Sequence, residues 1–361
     1  DTDIEGGADE LVLYVCPTNS WATSTGCTAG DWCIGTSTTG SVQCSFATST
    51  PALDDTYTYY AFMKDWHHMA ASVNGRSATY TVNNVAPEVS NVVVNGGLPI
   101  NLEIKGFAST TASSSADIYD ANSCTDITSA TSTIYLSDAI GGQYCSADFN
   151  DCYNITSSNC TITPGSCGGE SFTTLSVVCT TELAYFTNPS DASSGNPNNG
   201  ENWLAAIGGL DDDGLGNAST SVSGVELITS LGIEVSEAEI AYGSVKGGQN
   251  SGDSNATTTI MNYGNAPINA LVRGENMYNS PPTDFIPDNQ QEFSLTNFTW
   301  GAGTSMSSTT DANVNTVTPK PTSFAEVSDE LYWGIGIPGG TISGDYTGEN
   351  TFSAILDDTD W

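Results

Sequence analysis

Two adjacent histidines, His67 and His68, are the only imidazoles in the chain, within "KDWHHMAASVNGRSATYTVNN" at residues 64–84. Imidazole is the commonest metal ligand and general base, so any such chemistry starts here. Consecutive residues on a strand point to opposite faces, so the pair cannot grip one ion without distorting the backbone. Asp65 could join one imidazole on a divalent metal, but no third histidine completes a site. A Ser-His-Asp triad would have to recruit one of the same two residues, and the nucleophile pattern GxSxG is absent. The spacing between carboxylates that glycoside hydrolysis needs is not legible in a sequence. The expectation is a connection between two strands, packed by Trp66 and Met69, with no catalysis.

Hard oxygen ligands are better represented. Asp211, Asp212 and Asp213 precede Gly214; Asp148 stands with Asn150 and Asp151; Asp120 stands with Asn122 and Asp126. Clusters of this kind in turns suit calcium, although none fits the EF-hand loop, and solvated Asx turns are the competing reading for each. The net charge of −36 arises from 42 acidic residues against 6 basic ones. That field attracts divalent cations and repels nucleic acid and anionic membrane surfaces. Only 13% of residues are charged, so the imbalance reflects missing bases more than surplus acids, and a halophile's acidic shell is the weaker account.

The ten cysteines imply disulfides and an oxidising, extracytoplasmic compartment. None forms a CxxC pair, which argues against zinc. Cys16, Cys27, Cys33 and Cys44 lie near the N-terminus. Of the three connectivities open to them, the reading of "LVLYVC" and "SVQCSF" as neighbouring strands selects Cys16 with Cys44 and Cys27 with Cys33. Cys124, Cys145, Cys152, Cys160, Cys167 and Cys179 admit fifteen pairings, and none is preferred. Sequons at Asn154, Asn159, Asn217, Asn255 and Asn297 permit glycosylation without indicating it, because Asn, Ser and Thr are so abundant. Trp203 and Trp333 sit in strand patterns and are assigned to cores. Trp21 and Trp32, inside the cysteine-rich loop, are the best candidates for contacts with a ligand, a glycan or a partner.

These side chains would be positioned by strands. Short β-branched and aromatic runs such as "ELVLYVC" (10–16), "TYTYYAFM" (56–63), "STIYLS" (132–137), "TLSVVC" (174–179), "INALVR" (268–273) and "LYWGIGI" (331–337) alternate with Gly, Asn, Asp, Ser and Pro clusters. "NYGN" (262–265) marks a tight turn. An internal repeat sets "SATYTVNNV" (77–85) over "NASTSVSGV" (217–225), each behind an aromatic-led strand and an acidic turn. Each pair reads as the last two strands of a β-sandwich, which divides the chain into residues 1–84 with four cysteines, 85–228 with six, and 229–361 with none. No run of 18 apolar residues is present, and "DTDIEGGADE" lacks the regions of a signal peptide, so the chain is expected to be a processed part of a secreted precursor.

"DDTYTYYAFMKD" resembles the penultimate strand of an immunoglobulin-like domain, with Asp55, Tyr57 and Tyr59 at its acidic and corner-tyrosine positions and Ala61 where antibody domains carry a core cysteine. "SATYTVNNVAPEV" resembles the closing strand that leads into a next module. Together with "ENWLAA", "VSGVELITSLGIEV", "YGSV" and "LYWGIGIPGGTISGDYTGENTFSA", these stretches make the chain similar to modular Ig-like surface proteins of uncultivated bacteria and small-genome archaea. The resemblance implies an all-β chain of three tandem Ig-like β-sandwiches, the first two disulfide-stapled, with a repetitive cell-surface role and no active site. The expected function is a self-assembling subunit of an extracellular filament or surface layer, its copies joined through edge strands, with the N-terminal "ELVLYV" a candidate for strand donation. A monomeric adhesin or carbohydrate-binding stalk is the alternative.

Overall fold

The structure is a computed structural model that describes residues 10–46, 53–65, 75–105 and 109–361. His67, His68 and their neighbours Trp66 and Met69 lie outside the described residues. The fold is all-β: strands joined by turns, with four short 3₁₀ segments as the helical content of the described residues. No helix among those residues is long and apolar enough to cross a membrane.

In the first module, Leu11–Cys16, Cys33–Ser37, Thr56–Lys64 and Arg76–Thr81 form one antiparallel sheet, with the 33–37 strand at one edge and the 76–81 strand at the other. The 11–16 strand is paired on both sides, to the 33–37 and 56–64 strands. That corrects the expectation of strand donation: "LVLYVC" already spends its ladder hydrogen bonds inside its own module. Alternation sends Tyr14, Cys16, Tyr60 and Phe62 to one face, where Trp21 and Cys27 complete a small core. Leu13, Val15, Tyr59 and Ala61 take the other face and, with Tyr80, line a groove beside residues 43–46. The described residues thus give this module a single principal sheet. The Tyr57 hydroxyl donates to the Leu53 carbonyl at 2.9 Å, four residues upstream, as a corner tyrosine does.

The disulfides are Cys16–Cys27, Cys33–Cys44, Cys124–Cys167, Cys145–Cys152 and Cys160–Cys179, with no free cysteine. The pairing Cys16–Cys44 with Cys27–Cys33 is therefore overturned. Residues 41–46 form no strand, and the ladder partner of the 11–16 strand is the 33–37 strand, so the premise of a 16-to-44 hairpin fails. Each of the two N-terminal bridges spans 11 residues, and closing a loop of that size stabilises by roughly 2–4 kcal/mol.

The second module is a two-sheet sandwich. One sheet runs in the order Cys152–Ile155, Ile127–Leu136, Trp203–Asp211, Gly216–Thr220, and the other Cys160–Ile162, Thr174–Leu183, Thr110–Tyr119, Glu88–Val94. Inward-facing Ile118, Ile134, Leu175, Val177, Trp203 and Ile207 fill the space between them. The internal repeat has a structural counterpart. The 76–81 and 216–220 strands each close a sheet edge against the preceding strand, with Ala78 opposite Tyr59 and Ala218 opposite Gly208.

The third module packs a five-stranded sheet, which includes Ala256–Asn262 and Ser328–Ile335, over a three-stranded sheet built on Ile268–Gly274 and Asn350–Leu356. Leu331, Trp333 and Ile335 point inward as their alternation predicts, and the Trp333 indole donates to the Thr258 hydroxyl at 2.9 Å. "NYGN" is the turn between the 256–262 and 268–274 strands, where the Asn262 side chain accepts from the Gly264 N–H at 3.0 Å.

Candidate metal centre

Three strand ends of the second module meet where residues 83–85 arrive from the first. Asp120 directly follows the 110–119 strand, Asp126 directly precedes the 127–136 strand, and Asp211 ends the 203–211 strand. Ile127 pairs with Asp211, so the sheet register itself brings Asp126 beside Asp211. The 120–126 loop is fixed by the Cys124–Cys167 disulfide and by the N–H groups of Asp120 and Cys124, which donate to Thr173 and Phe172. Two of the acidic clusters expected from sequence, 120/122/126 and 211–213, are thus brought together. The third is not.

Carboxylate oxygens of Asp120, Asp126 and Asp211 lie within 4.8 Å of one another, and all three residues are buried, at 0, 3 and 2% exposure. A second trio, Asp54, Asp126 and Asp212, meets the same distance limit, with Asp54 contributed by the first module. Asp120 Oδ2 and Asp126 Oδ2 are buried with no hydrogen-bond partner, as is Asn84 Oδ1. Ion pairs found among the described residues, Lys105–Glu326 and Arg273–Asp311, lie elsewhere and neutralise none of these acids.

The remaining polar atoms at the junction are in use. Asn84 Nδ2 donates to Asp211 Oδ2 at 2.9 Å, the Val85 N–H to Asn122 Oδ1 at 2.9 Å, and Asn122 Nδ2 to the Asn83 carbonyl at 3.3 Å. The Leu215 N–H holds Asp211 Oδ1 at 2.7 Å across a turn in which Gly214 adopts φ +81°. Asn122 therefore acts as a backbone clamp on the linker, not as an obvious ion ligand.

Burial and like charge raise the proton affinity of the group. Loss of water pushes the Asp126 carboxyl up to about 7, helped by its contact with Asp212 and by the charges of Asp54, Asp212 and Asp120. Asp120 is raised chiefly by burial, with the N–H groups of Asn122 and Ser123 pulling the other way. Asp54 is raised by burial and by Asp213 and Asp212. Carboxylates crowded in this way need either shared protons or a cation, and unpartnered oxygens at the separation found here match the 2.3–2.6 Å ligand shell of calcium.

The cluster of Asp148, Asn150 and Asp151 is arranged differently and is corrected as a calcium candidate. Asp148 Oδ1 accepts the N–H groups of Asn150, Asp151 and Cys152, which is an Asx turn, and Asp151 is bonded to Asn188. The cation beside it belongs to the chain. Lys320 reaches in from the third module and donates to the Phe186 and Pro321 carbonyls at 2.7 and 3.0 Å and to Asn150 Oδ1 at 3.4 Å. Burial lowers its ammonium to about 8, against the pull of Asp151 and Asp148. Asn150 Nδ2 in turn holds the Thr322 carbonyl at 3.0 Å, so this cluster docks the second module to the third.

Trp21 and Trp32 are half-buried and pack against other rings. Trp21 stacks on Phe62 at 5.5 Å, and Trp32 lies against Phe46 and Tyr80 at 5.2 and 5.9 Å. Among the sequons, Asn154, Asn159, Asn217 and Asn297 are exposed. Asn255 is half-buried, and its side chain accepts from the Phe298 N–H and donates to the Trp333 carbonyl, as Asn154 Nδ2 donates to the Cys145 carbonyl. Asp54 and Asn84 were not singled out by sequence reasoning. The only signal for them is position, two residues before the 56–64 strand and immediately before the second module.

No family model matches the chain, and no curated protein matches it. Dimeric latent PorU from Porphyromonas gingivalis is similar at a TM-score of 0.20 and 9% identity, over 94% of this chain and 29% of that one, so the chain spans under a third of PorU. BcpA, the major pilin subunit of Bacillus cereus, is similar at a TM-score of 0.20 and 8% identity, over 97% of this chain and 92% of that one. Likeness at this level carries no weight for fold or function.

Proposed function

We propose that this chain is a non-catalytic, extracellular structural protein whose first two modules are locked together by calcium, serving as a self-assembling subunit of a cell-surface filament or layer. The observation that carries the reading is the pair of buried, unpartnered oxygens, Asp120 Oδ2 and Asp126 Oδ2, at the meeting point of two modules. Buried carboxylate oxygens without a partner are costly, and a bound cation offsets that cost where shared protons do not. Five disulfides suit the oxidising conditions outside a cell, where free calcium is also plentiful enough for weak sites. Rigid stapled modules suit repetitive packing, and the 76–81 strand, at a sheet edge among the described residues, is a candidate ladder for a second copy.

One observation favours a second reading. The groove of Leu13, Val15, Phe46, Tyr59 and Tyr80 on the first module presents the apolar and aromatic surface on which sugars stack, as a monomeric adhesin would use. Electron microscopy of the purified protein in calcium and then in chelator separates the two. Ordered filaments or sheets that disperse on chelation are the expected result. Single particles in both conditions would overturn the structural role and favour the adhesin.

A further inference from the structure

We propose that the junction binds two divalent cations that share Asp126: an inner ion held within the second module by Asp120, Asp126 and Asp211, and an outer ion held by Asp126, Asp212 and Asp54. This rests on the calcium reading above and goes further, because the outer ion is the one that ties the first module to the second.

The geometry gives two overlapping trios whose only common member is Asp126. In each, the oxygens fall within 4.8 Å of one another. Two ligands on opposite sides of a calcium ion stand about 4.6–5.2 Å apart, so neither trio has to draw together to hold one ion. The unpartnered Oδ2 atoms of Asp120 and Asp126, on side chains at least nine-tenths buried, provide the evidence independent of the clustering itself. Asn84 Oδ1, buried and unpartnered on the linker, adds a neutral oxygen to the inner position while its Nδ2 is anchored on Asp211.

Charge balance favours the same count. Asp54, Asp120, Asp126, Asp211 and Asp212 carry five negative charges when ionised, and no lysine or arginine among the described residues pairs with them. One dication leaves three uncompensated charges in a poorly hydrated site, whereas two leave one. The positions differ in access. The inner trio is entirely buried, while Asp212 is exposed and Asp54 is half-buried, so the inner ion is bound first and released last. Asp54 is delivered by a fixed segment, since the adjacent Leu53 carbonyl is held by the Tyr57 hydroxyl.

Native mass spectrometry and calorimetric titration of the intact, disulfide-bonded chain with calcium chloride test this. The expected result is two ions with distinct affinities. Asp54→Asn and, independently, Asp212→Asn each weaken one ion at least about tenfold and leave the other in place, and Asp126→Asn loses both. The exposed position of Asp212 ensures that its variant folds even if Asp54→Asn does not. A single ion whose affinity ignores Asp54→Asn and Asp212→Asn would overturn the two-ion inference and leave the calcium reading standing. No bound ion in the wild type would overturn both.

Discussion

In chelator at pH 8, the Asp126→Asn variant is expected to melt at a higher temperature than the wild type, and the same variant is expected to gain almost nothing from calcium. The sign follows from the raised carboxyl. Asp126 titrates near 7 in the folded chain against an ordinary value of 3.8, so its folded state favours the proton. Stability from that group is fully present below pH ~4 and is lost as pH rises through about 7. Metal-free wild type should therefore weaken between those limits, with Asp120 and Asp54, raised in the same direction, adding to the trend. Asparagine removes the charge that burial penalises and flattens the dependence. On the proposed calcium reading the ion takes the proton's place and should stabilise wild type most above pH 7, by about 2.7 kcal/mol at a hundredfold excess over Kd. Scanning calorimetry at pH 5 and pH 8, with chelator and with calcium, measures all of this. An Asp126→Asn variant less stable than wild type in chelator would mean that the carboxylate makes favourable contacts and that the crowding is harmless.

Trp203→Ala should cost the second module about 3–5 kcal/mol, enough to abolish its cooperative unfolding transition. The side chain is fully buried between the sheets, its ring 6.1 Å from that of Tyr153, and its indole N–H donates to the Asn188 carbonyl at 3.1 Å. Its backbone also exchanges two hydrogen bonds with Val225. Alanine leaves a cavity as well as an orphaned carbonyl, and Trp203→Phe still leaves the carbonyl. Trp21 supplies the contrast. Its indole nitrogen is buried with no partner, so Trp21→Phe keeps the stack on Phe62, removes an unsatisfied donor and should remain within about 1 kcal/mol of wild type. Denaturant unfolding followed by near-ultraviolet circular dichroism compares the three variants. Equal losses for Trp203→Phe and Trp21→Phe would show that the indole hydrogen bond contributes nothing.

Much of the fold was legible because its signals are local. Alternation places Leu331, Trp333 and Ile335 inward, "NYGN" marks its turn, and the 77–85 and 217–225 repeat marks two strands that the structure sets at sheet edges. The N-terminal disulfides are not legible in the same way, because pairing depends on which strands are neighbours and residues 41–46 form none. The equal 11-residue spacing of Cys16 to Cys27 and Cys33 to Cys44 was the available signal.

The candidate site was half legible. Asp120, Asp126 and Asp211 were chosen for their chemistry, but nothing local joins residues so far apart in sequence. That takes the register of Ile127 with Asp211 and the loop staple at Cys124. The same reasoning selected Asp148 and Asp151, where the structure supplies Lys320 in place of an ion. Composition gives the number of acids. Only topology says which of them lack a partner.

The most direct measurement is a crystal structure grown with calcium, with anomalous scattering used to identify the ion. The account predicts a peak among Asp120, Asp126 and Asp211 with oxygen ligands at about 2.3–2.6 Å. Density showing the three carboxyls bonded to one another through shared protons, with no anomalous peak in saturating calcium, would contradict it.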